Sequence, residues 1–219
     1  MNRPHVIVNC AMSIDGKIAL PNHRQIRISS DEDIKRMYKL RNDVDAVLVG
    51  IGTVLADDPK LTVKEKYVEK PKQSLRVVLD RECRTPPNAL VVNDKAHSVI
   101  FTSIKNVKNY NKNVEVVKVS LDNDGLLDLN QILSKLYDKG VKKVLVEGGG
   151  TVIWNFLKNK LVDELYIYIG PIIIGGAKSP TVADGLGIKN ETEIIHLKLI
   201  SSNPLGEGIL LHYKANDEN

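Results

Sequence analysis

Along this chain, short β-branched runs end in glycine or a carboxylate and pass into a helical pattern, and that recurrence limits the fold more than any other feature. Its fullest instance is residues 141–157, VKKVLVEGGGTVIWNFL. Residues 143–146 close an apolar run of the kind a strand buried on both faces requires. Glu147 follows, then Gly148, Gly149 and Gly150, and then Val152, Ile153, Phe156 and Leu157 at helical spacing. A carboxylate is thereby set at the carboxyl end of a strand, and a helix opens directly after three residues without Cβ. Unpaired N–H groups and the helix dipole favour an anion there, and glycine lets a phosphate come close. A tight turn whose glycines only relieve sterics would read the same way. Glu147 weighs against it, because an acid at a strand end costs energy unless something uses it.

The same grammar runs through the rest of the chain. Residues 6–10 read as a first strand leading to an Asp15-Gly16 turn. Ser30 reads as the cap of a helix with acids in its first turn, Ile34, Met37 and Tyr38 on its inner face, and Lys39 and Arg41 at its end. Residues 45–50 read as a second strand running into a glycine-rich turn at 50–53 and then ADDPKLTV. Further strands are expected at 74–79, 99–101, 114–119 and 165–169. Asp128 caps a helix with Leu129, Ile132, Leu133 and Leu136 on one face, stopped by Gly140. Residues 193–200 and 209–213 flank Asn203-Pro204-Leu205-Gly206 and predict a terminal antiparallel hairpin. The expected class is α/β: a mostly parallel central sheet with helices on both faces and an antiparallel edge. Ligands of such sheets bind outside the carboxyl ends of the strands.

At 219 residues, with no linker or repeat, one domain over 1–219 is expected. No apolar run reaches the roughly 18–20 residues of a membrane span. The opening MNRPHVIVNC lacks a signal peptide's charged-then-apolar layout, so the cytoplasm is the expected location and no membrane partner is expected. Cys10 and Cys83 are too few and too far apart for a zinc site or a disulfide framework; they read as small buried hydrophobes, and no metal is expected. The net charge of +4 is mild. Lys105, Lys108, Lys112 and Lys118 lie in a polar stretch without interleaved aromatics, which describes a solvated face rather than a nucleic-acid patch.

The chain carries no G-x-S-x-G elbow, no H-E-x-x-H and no H-x-E with P-C-x-x-C. Residues 170–179, GPIIIGGAKS, miss the P-loop because Ala177 separates Gly176 from Lys178. The G-x-G at 50–52 lacks the third glycine of the dinucleotide fingerprint. What remains is Asp57, Asp58, Glu147 and the glycine turns at Gly50 and Gly148, although Asp57-Asp58-Pro59 also reads as a capping turn. The set points to an enzyme whose hard chemistry belongs to a nicotinamide cofactor.

MSIDGKIA (12–19), DAVLVGIGTVLADDPKLTV (45–63), RVVLD (76–80), VLVEGGGTV (144–152) and VDELYIYIGPIIIGG (162–176) resemble the riboflavin-biosynthesis pyrimidine reductases, in order and over nearly the whole chain. The resemblance implies a dihydrofolate-reductase-like fold, a homodimer, and NADPH as cofactor, with NADH as the alternative. It places the cofactor against Ser29, Ser30, Thr53, Asp57, Asp80, Arg81 and the turn Gly148, Gly149, Gly150, Thr151. On the substrate side it implies Asn9, Arg41, Leu61, Lys64 and Glu147, with Arg41 and Lys64 suited to a 5′-phosphate. Arg81 suits the 2′-phosphate of NADPH, since a guanidinium binds phosphate bidentately; a surface turn arginine would look the same. Bacterial members often carry lysine where this chain has Asn9, so Asn9 is expected to hydrogen-bond and proton handling to fall elsewhere.

The activity implied is reduction of the ribosyl group of 2,5-diamino-6-(5-phosphoribosylamino)pyrimidin-4(3H)-one to ribityl, by hydride addition at C1′. Family members fused to a zinc deaminase carry cysteines that this chain lacks, which favours the diamino substrate over its deaminated counterpart. Glu147, or else Asp57, is expected to guide the proton taken up by the ring oxygen. Three other readings stay open: reduction of the deaminated pyrimidine, dihydrofolate reduction, and nucleotide binding without chemistry. RNA binding is disfavoured for want of stacking aromatics.

Overall fold

The computed structural model describes residues 2–104 and 108–216; Lys105, assigned above to a solvated face, lies outside the described residues. In chain order the elements are β1 (His5–Ser13), α1 (Asp31–Asn42), β2 (Ala46–Gly50), α2 (Ile51–Asp57), β3 (Leu75–Leu79), β4 (Ser98–Thr102), β5 (Val114–Lys118), α3 (Leu129–Asp138), β6 (Lys143–Val146), α4 (Gly150–Lys158), β7 (Glu164–Gly170), β8 (Leu197–Leu205) and β9 (Gly208–Ala215). They fall into two compact units. The first holds Tyr38–Leu145 with the first few residues, and the second holds Val6–Met37 and the chain from Val146 onward.

In the first unit the strands run in the order β5-β4-β3-β2-β6. β2 pairs with β3, β3 with β4, and β4 with β5, all parallel. Every residue of β2 and of β4 is buried, which is why both read as unbroken apolar runs rather than alternating ones. α3 is built as its sequence required. Asp128 Oδ1 accepts from the Gln131 amide at 3.1 Å, Leu129, Ile132, Leu133 and Leu136 are buried, and Gly140 takes φ +87° just past the end.

In the second unit the order is β1-β7-β9-β8. β1 and β7 are parallel, whereas β7–β9 and β9–β8 are antiparallel, so the expected hairpin is present. The Ser30 hydroxyl accepts from the Asp33 amide at 3.2 Å and opens α1, whose first turn is acidic and last turn basic, as the macrodipole favours.

Two local expectations change. The glycine-rich passage at 50–53 is the start of a helix: Gly50 is its N-cap, and with only Val54 buried over seven residues, α2 shows no periodicity to read. Asn203 and Pro204 lie inside β8, and the hairpin turns at 206–207. Pro204 is tolerated there because β8 is an edge strand. Asp33 on α1 and Asn155 on α4 are polar helix residues that are nonetheless buried.

The largest fully buried side chain is Arg76 on β3. Its guanidinium donates to Leu90 O (3.0 Å), Asn93 Oδ1 (2.8 Å), Asn93 O (2.5 Å) and Ala96 O (2.6 Å), pinning the segment between β3 and β4. Burial pulls its pKa down to about 10, with Asp94 acting in the opposite sense. Arg76→Met roughly keeps the volume and removes four hydrogen bonds from acceptors that retain a weaker or second donor, among them Asn113 Nδ2 on Asn93 O and Ala96 O, so the expected loss is about 2–4 kcal/mol, read as a lower midpoint in urea unfolding.

Candidate active site

The turn between β6 and α4 is in the second unit, and its three glycines serve three ends. Gly148 has φ +120°, and a Cβ there would meet nothing within 4 Å, so conformation alone requires glycine. Gly149, joined to it by a cis peptide bond, is the extended N-cap of α4. At Gly150 a Cβ would lie 2.5 Å from Thr181 O and 2.7 Å from Asp184 Oδ2. Gly150 is therefore a packing glycine, and the segment it admits is the chain's own. Asp184 in turn accepts from the Thr181 amide at 3.1 Å and from its hydroxyl. No side chain caps α4, and the first-turn amides of Gly150 and Thr151 have no acceptor inside the helix. Thr151 is exposed and Glu147 half-buried at the end of β6.

A polar chain crosses the second unit beneath α1. The Ser29 hydroxyl donates to Asp33 Oδ2, Arg36 Nε donates to Asp33 Oδ1 (2.9 Å), and the other end of the Arg36 guanidinium donates to Asn9 Oδ1 (2.6 Å). Arg36 also lies 5.7 Å from the Tyr166 ring centre, and Tyr166 stacks on His212 at 4.2 Å. His212 Nε2 is 2.8 Å from Glu164 Oε2. Of the residues expected to meet ligands, Asn9, Ser29 and Ser30 thus already have structural duties. Arg36 and Asp33 were missed, and their signal was the i, i+3 spacing of opposite charges. Cys83 is buried as expected whereas Cys10 is half-buried; burial of its thiol, reinforced by the Asp33 charge, pushes it up to about 12.

Two loops of the second unit are zipped together by Asp15. Its carboxylate accepts from Ser13 Oγ (2.6 Å), the Ile174 amide (3.1 Å) and the Gly175 amide (2.7 Å). These bonds, the Ser13 hydroxyl foremost, hold its pKa down at about 2. Ile14 N–H to Ile172 O and Ile18 N–H to Pro180 O, each 2.9 Å, extend the zipper. Both loops leave the carboxyl ends of the parallel pair β1 and β7.

In the first unit the ADDPKLTV block is strained. Asp58 (φ +41°) and Leu61 (φ +52°) are both left-handed, which costs a residue such as leucine about 1–2 kcal/mol. Three contacts hold it there. Asp58 Oδ1 accepts from the Leu90 amide at 2.7 Å, the Leu61 side chain is buried, and the Gln73 carboxamide bonds Val63 N–H and C=O at 2.9 and 3.0 Å. Thr53 and Asp57, on α2, are half-buried. Arg41 and Lys64 converge: the Arg41 Cζ and the Lys64 Nζ each lie 5.3 Å from the centre of the Tyr38 ring. Tyr38 was read only as a core residue. Asp80, fully buried, accepts from the Thr85 amide and hydroxyl at 2.6 and 2.7 Å and shapes the turn after β3. The Arg81 guanidinium is held by Glu82 (2.7 Å) and Gly125 O (3.0 Å).

Among the described residues no cluster of His, Cys, Asp or Glu could hold a metal ion, and no helix is long and apolar enough to cross a membrane. Residues 4–211 match the family model of the RibD C-terminal domain, and the chain belongs to that family. It is 40% identical over 222 residues to the 2,5-diamino-6-ribosylamino-4(3H)-pyrimidinone 5′-phosphate reductase of Archaeoglobus fulgidus, across 98% of this chain and 99% of that one. It is also 40% identical over 215 residues to the protein of the same name from Methanothermobacter thermautotrophicus, across 96% and 98% of the two chains. Among solved structures it resembles a diaminohydroxyphosphoribosylaminopyrimidine deaminase/5-amino-6-(5-phosphoribosylamino)uracil reductase from Thermotoga maritima, with TM-score 0.83 and 26% identity over 98% of this chain and 57% of that one. The fold is thus the dihydrofolate-reductase-like α/β one that the motifs implied. A reductase family of this kind implies a nicotinamide cofactor. The uncapped first turn of α4, the open space at Gly148 and the exposed Thr151 fit the phosphates of such a dinucleotide.

Two outcomes follow from this geometry. Gly150→Ala must displace Thr181 O and Asp184 and is expected to cost about 1–3 kcal/mol in urea unfolding. Gly52→Ala on α2, with nothing within 4 Å, is expected to cost nothing. Because the Asp15 pKa is depressed in the folded protein, its contribution is complete above its ordinary value near 3.8 and is lost as the pH falls toward about 2. Hydrogen exchange at Ile174 and Gly175 should therefore lose protection over that window, and in Asp15→Asn protection should be low and independent of pH.

Proposed function

We propose that this chain reduces the ribosyl group of 2,5-diamino-6-(5-phosphoribosylamino)pyrimidin-4(3H)-one to ribityl, with NADPH as the preferred cofactor. The observation that carries the reading is the convergence of Arg41 and Lys64 on one tyrosine ring, in a chain 40% identical from end to end to reductases named for that pyrimidinone phosphate. Two cations brought to one ring favour a dianion such as a 5′-phosphate. The family model's single match across 4–211 supports treating the chain as one reductase domain.

A bound reduced nicotinamide supplies the hydride. The remaining tasks belong to the chain. Thr53, Asp57 and the turn from Gly148 to Thr151 hold the dinucleotide, with α4's first-turn amides toward its phosphates. Ser29, Ser30 and Asp80 act through the loops they brace, and Arg81 takes a 2′-phosphate by exchanging its Glu82 contact. Arg41 and Lys64 anchor the substrate phosphate, Leu61 presents its strained backbone to the substrate, and Asn9 is steadied by Arg36. Glu147 handles the proton that the opened ribose oxygen takes up; Asp57 is the second choice. The deaminated pyrimidine is the competing substrate, on the strength of the Thermotoga relative's name. We also read the chain as a cytoplasmic homodimer, paired through the hairpin whose Leu199, Ile200 and Ile209 are exposed.

The test is purified protein with NADPH or NADH and each of the two pyrimidine ribosides, followed at the nicotinamide absorbance. Turnover with the diamino compound and NADPH is expected to dominate; saturable NADPH binding without turnover would make the chain a binding module. Glu147→Gln should keep NADPH affinity within about twofold and lose roughly 100-fold or more in kcat. Unchanged kcat in that variant removes Glu147 from the reaction.

A further inference from the structure

The phosphate-binding assignment of Arg41 and Lys64 leaves a second tyrosine unexplained. Tyr67 stacks on Tyr38 with ring centres 4.6 Å apart and planes within 8°. It sits on the 64–70 loop, with its backbone set by the turn bonds from the Tyr67 and Val68 amides to Lys64 O at 3.0 and 3.3 Å. The Gln73–Val63 clamp closes the base of that loop. Lys66 Nζ lies 5.3 Å from the Tyr67 ring centre. Three cations, from Arg41, Lys64 and Lys66, therefore surround one stacked aromatic pair. Among the described residues, no ion pair holds the Lys64 or Lys66 ammonium.

We infer that Tyr67 is a positioning residue for phosphate recognition: its stack on Tyr38 holds the 64–70 loop so that Lys64 stands on the same ring as Arg41. A lysine at the head of an exposed loop would otherwise spread its ammonium over many rotamers, and each binding event would bear that ordering cost. An aromatic pair at this spacing is a stiff support, and the ring faces stabilise the cations that gather on them. The stack contributes no hydrogen bond of its own to the anion. The specificity it confers is for a phosphate monoester over the free hydroxyl, and it rests on the reading of this chain as a reductase of a phosphoribosyl substrate.

Binding of ribose 5-phosphate to the full chain, measured by calorimetry with ribose as control, tests the inference apart from catalysis. Tyr67→Ala should weaken ribose 5-phosphate binding roughly tenfold, and Tyr67→Phe, which keeps the stack, should match the parent. Because Tyr67 acts through Lys64, the double variant Tyr67→Ala/Lys64→Met should bind no more weakly than Lys64→Met alone. In turnover, Tyr67→Ala should raise KM for the pyrimidine riboside by the same factor while kcat and the KM for NADPH stay put. Equal binding by Tyr67→Ala and the parent, additive effects in the double variant, or no binding by the parent would each overturn the inference. Ribose 5-phosphate binding without hydride transfer to either pyrimidine would instead overturn the functional reading and leave Tyr67 in place.

Discussion

Parallel pairing of strands is the constraint from which the other features of each unit follow. When β2, β3, β4 and β5 run the same way in one unit, and β1 and β7 in the other, the loops leaving the strands of each unit emerge together at one edge of that unit's own sheet. Backbone hydrogen bonds inside the strands consume the polar groups there, so chemistry has to be done by whatever follows the last paired residue. That is where Gly50, Asp80, Ser13 and Glu147 stand.

Loops at such an edge need support, and the chain provides it with buried polar side chains rather than with more hydrophobic surface. Asp80 fixes the turn at Thr85, Asp15 joins the loops after β1 and β7, Arg76 gathers three carbonyls and an amide, and Asp184 backs the glycine turn through Thr181. Directional bonds of this kind define a geometry that dispersion contacts would leave loose. The strained Leu61 backbone fits the same logic: it persists because Asp58, its own buried side chain and the Gln73 clamp leave no alternative.

Charge is distributed unevenly over these supports. Asp184 lies beside the start of α4, where a carboxylate is favourable, so the dipole of that helix is partly answered from within the chain. Around Tyr38 the balance is reversed, with cations gathered on a ring pair. The two settings differ in what they offer a ligand: first-turn amides without an acceptor inside the helix and room beside Gly148 in one, positive charge in the other.

The sequence by itself determined most of the elements and their order. Hydrophobic periodicity and caps such as Asp128 are local, and local patterns survive without knowledge of the fold. The motif blocks also carried the family, because ADDPKLTV and VEGGG are contiguous. Tertiary structure decided what each residue is for. Gly150 is a glycine because residues 181–184 press on it, and Tyr67 has meaning only beside Tyr38. Those roles depend on contacts between residues far apart in the chain or on turns without periodicity, and no spacing rule encodes them. The helix α2 and the strand that runs through Pro204 escaped notice for the same reason: a seven-residue helix with one buried side chain, and a proline made harmless by its place at an edge, are legible only once the neighbours are known.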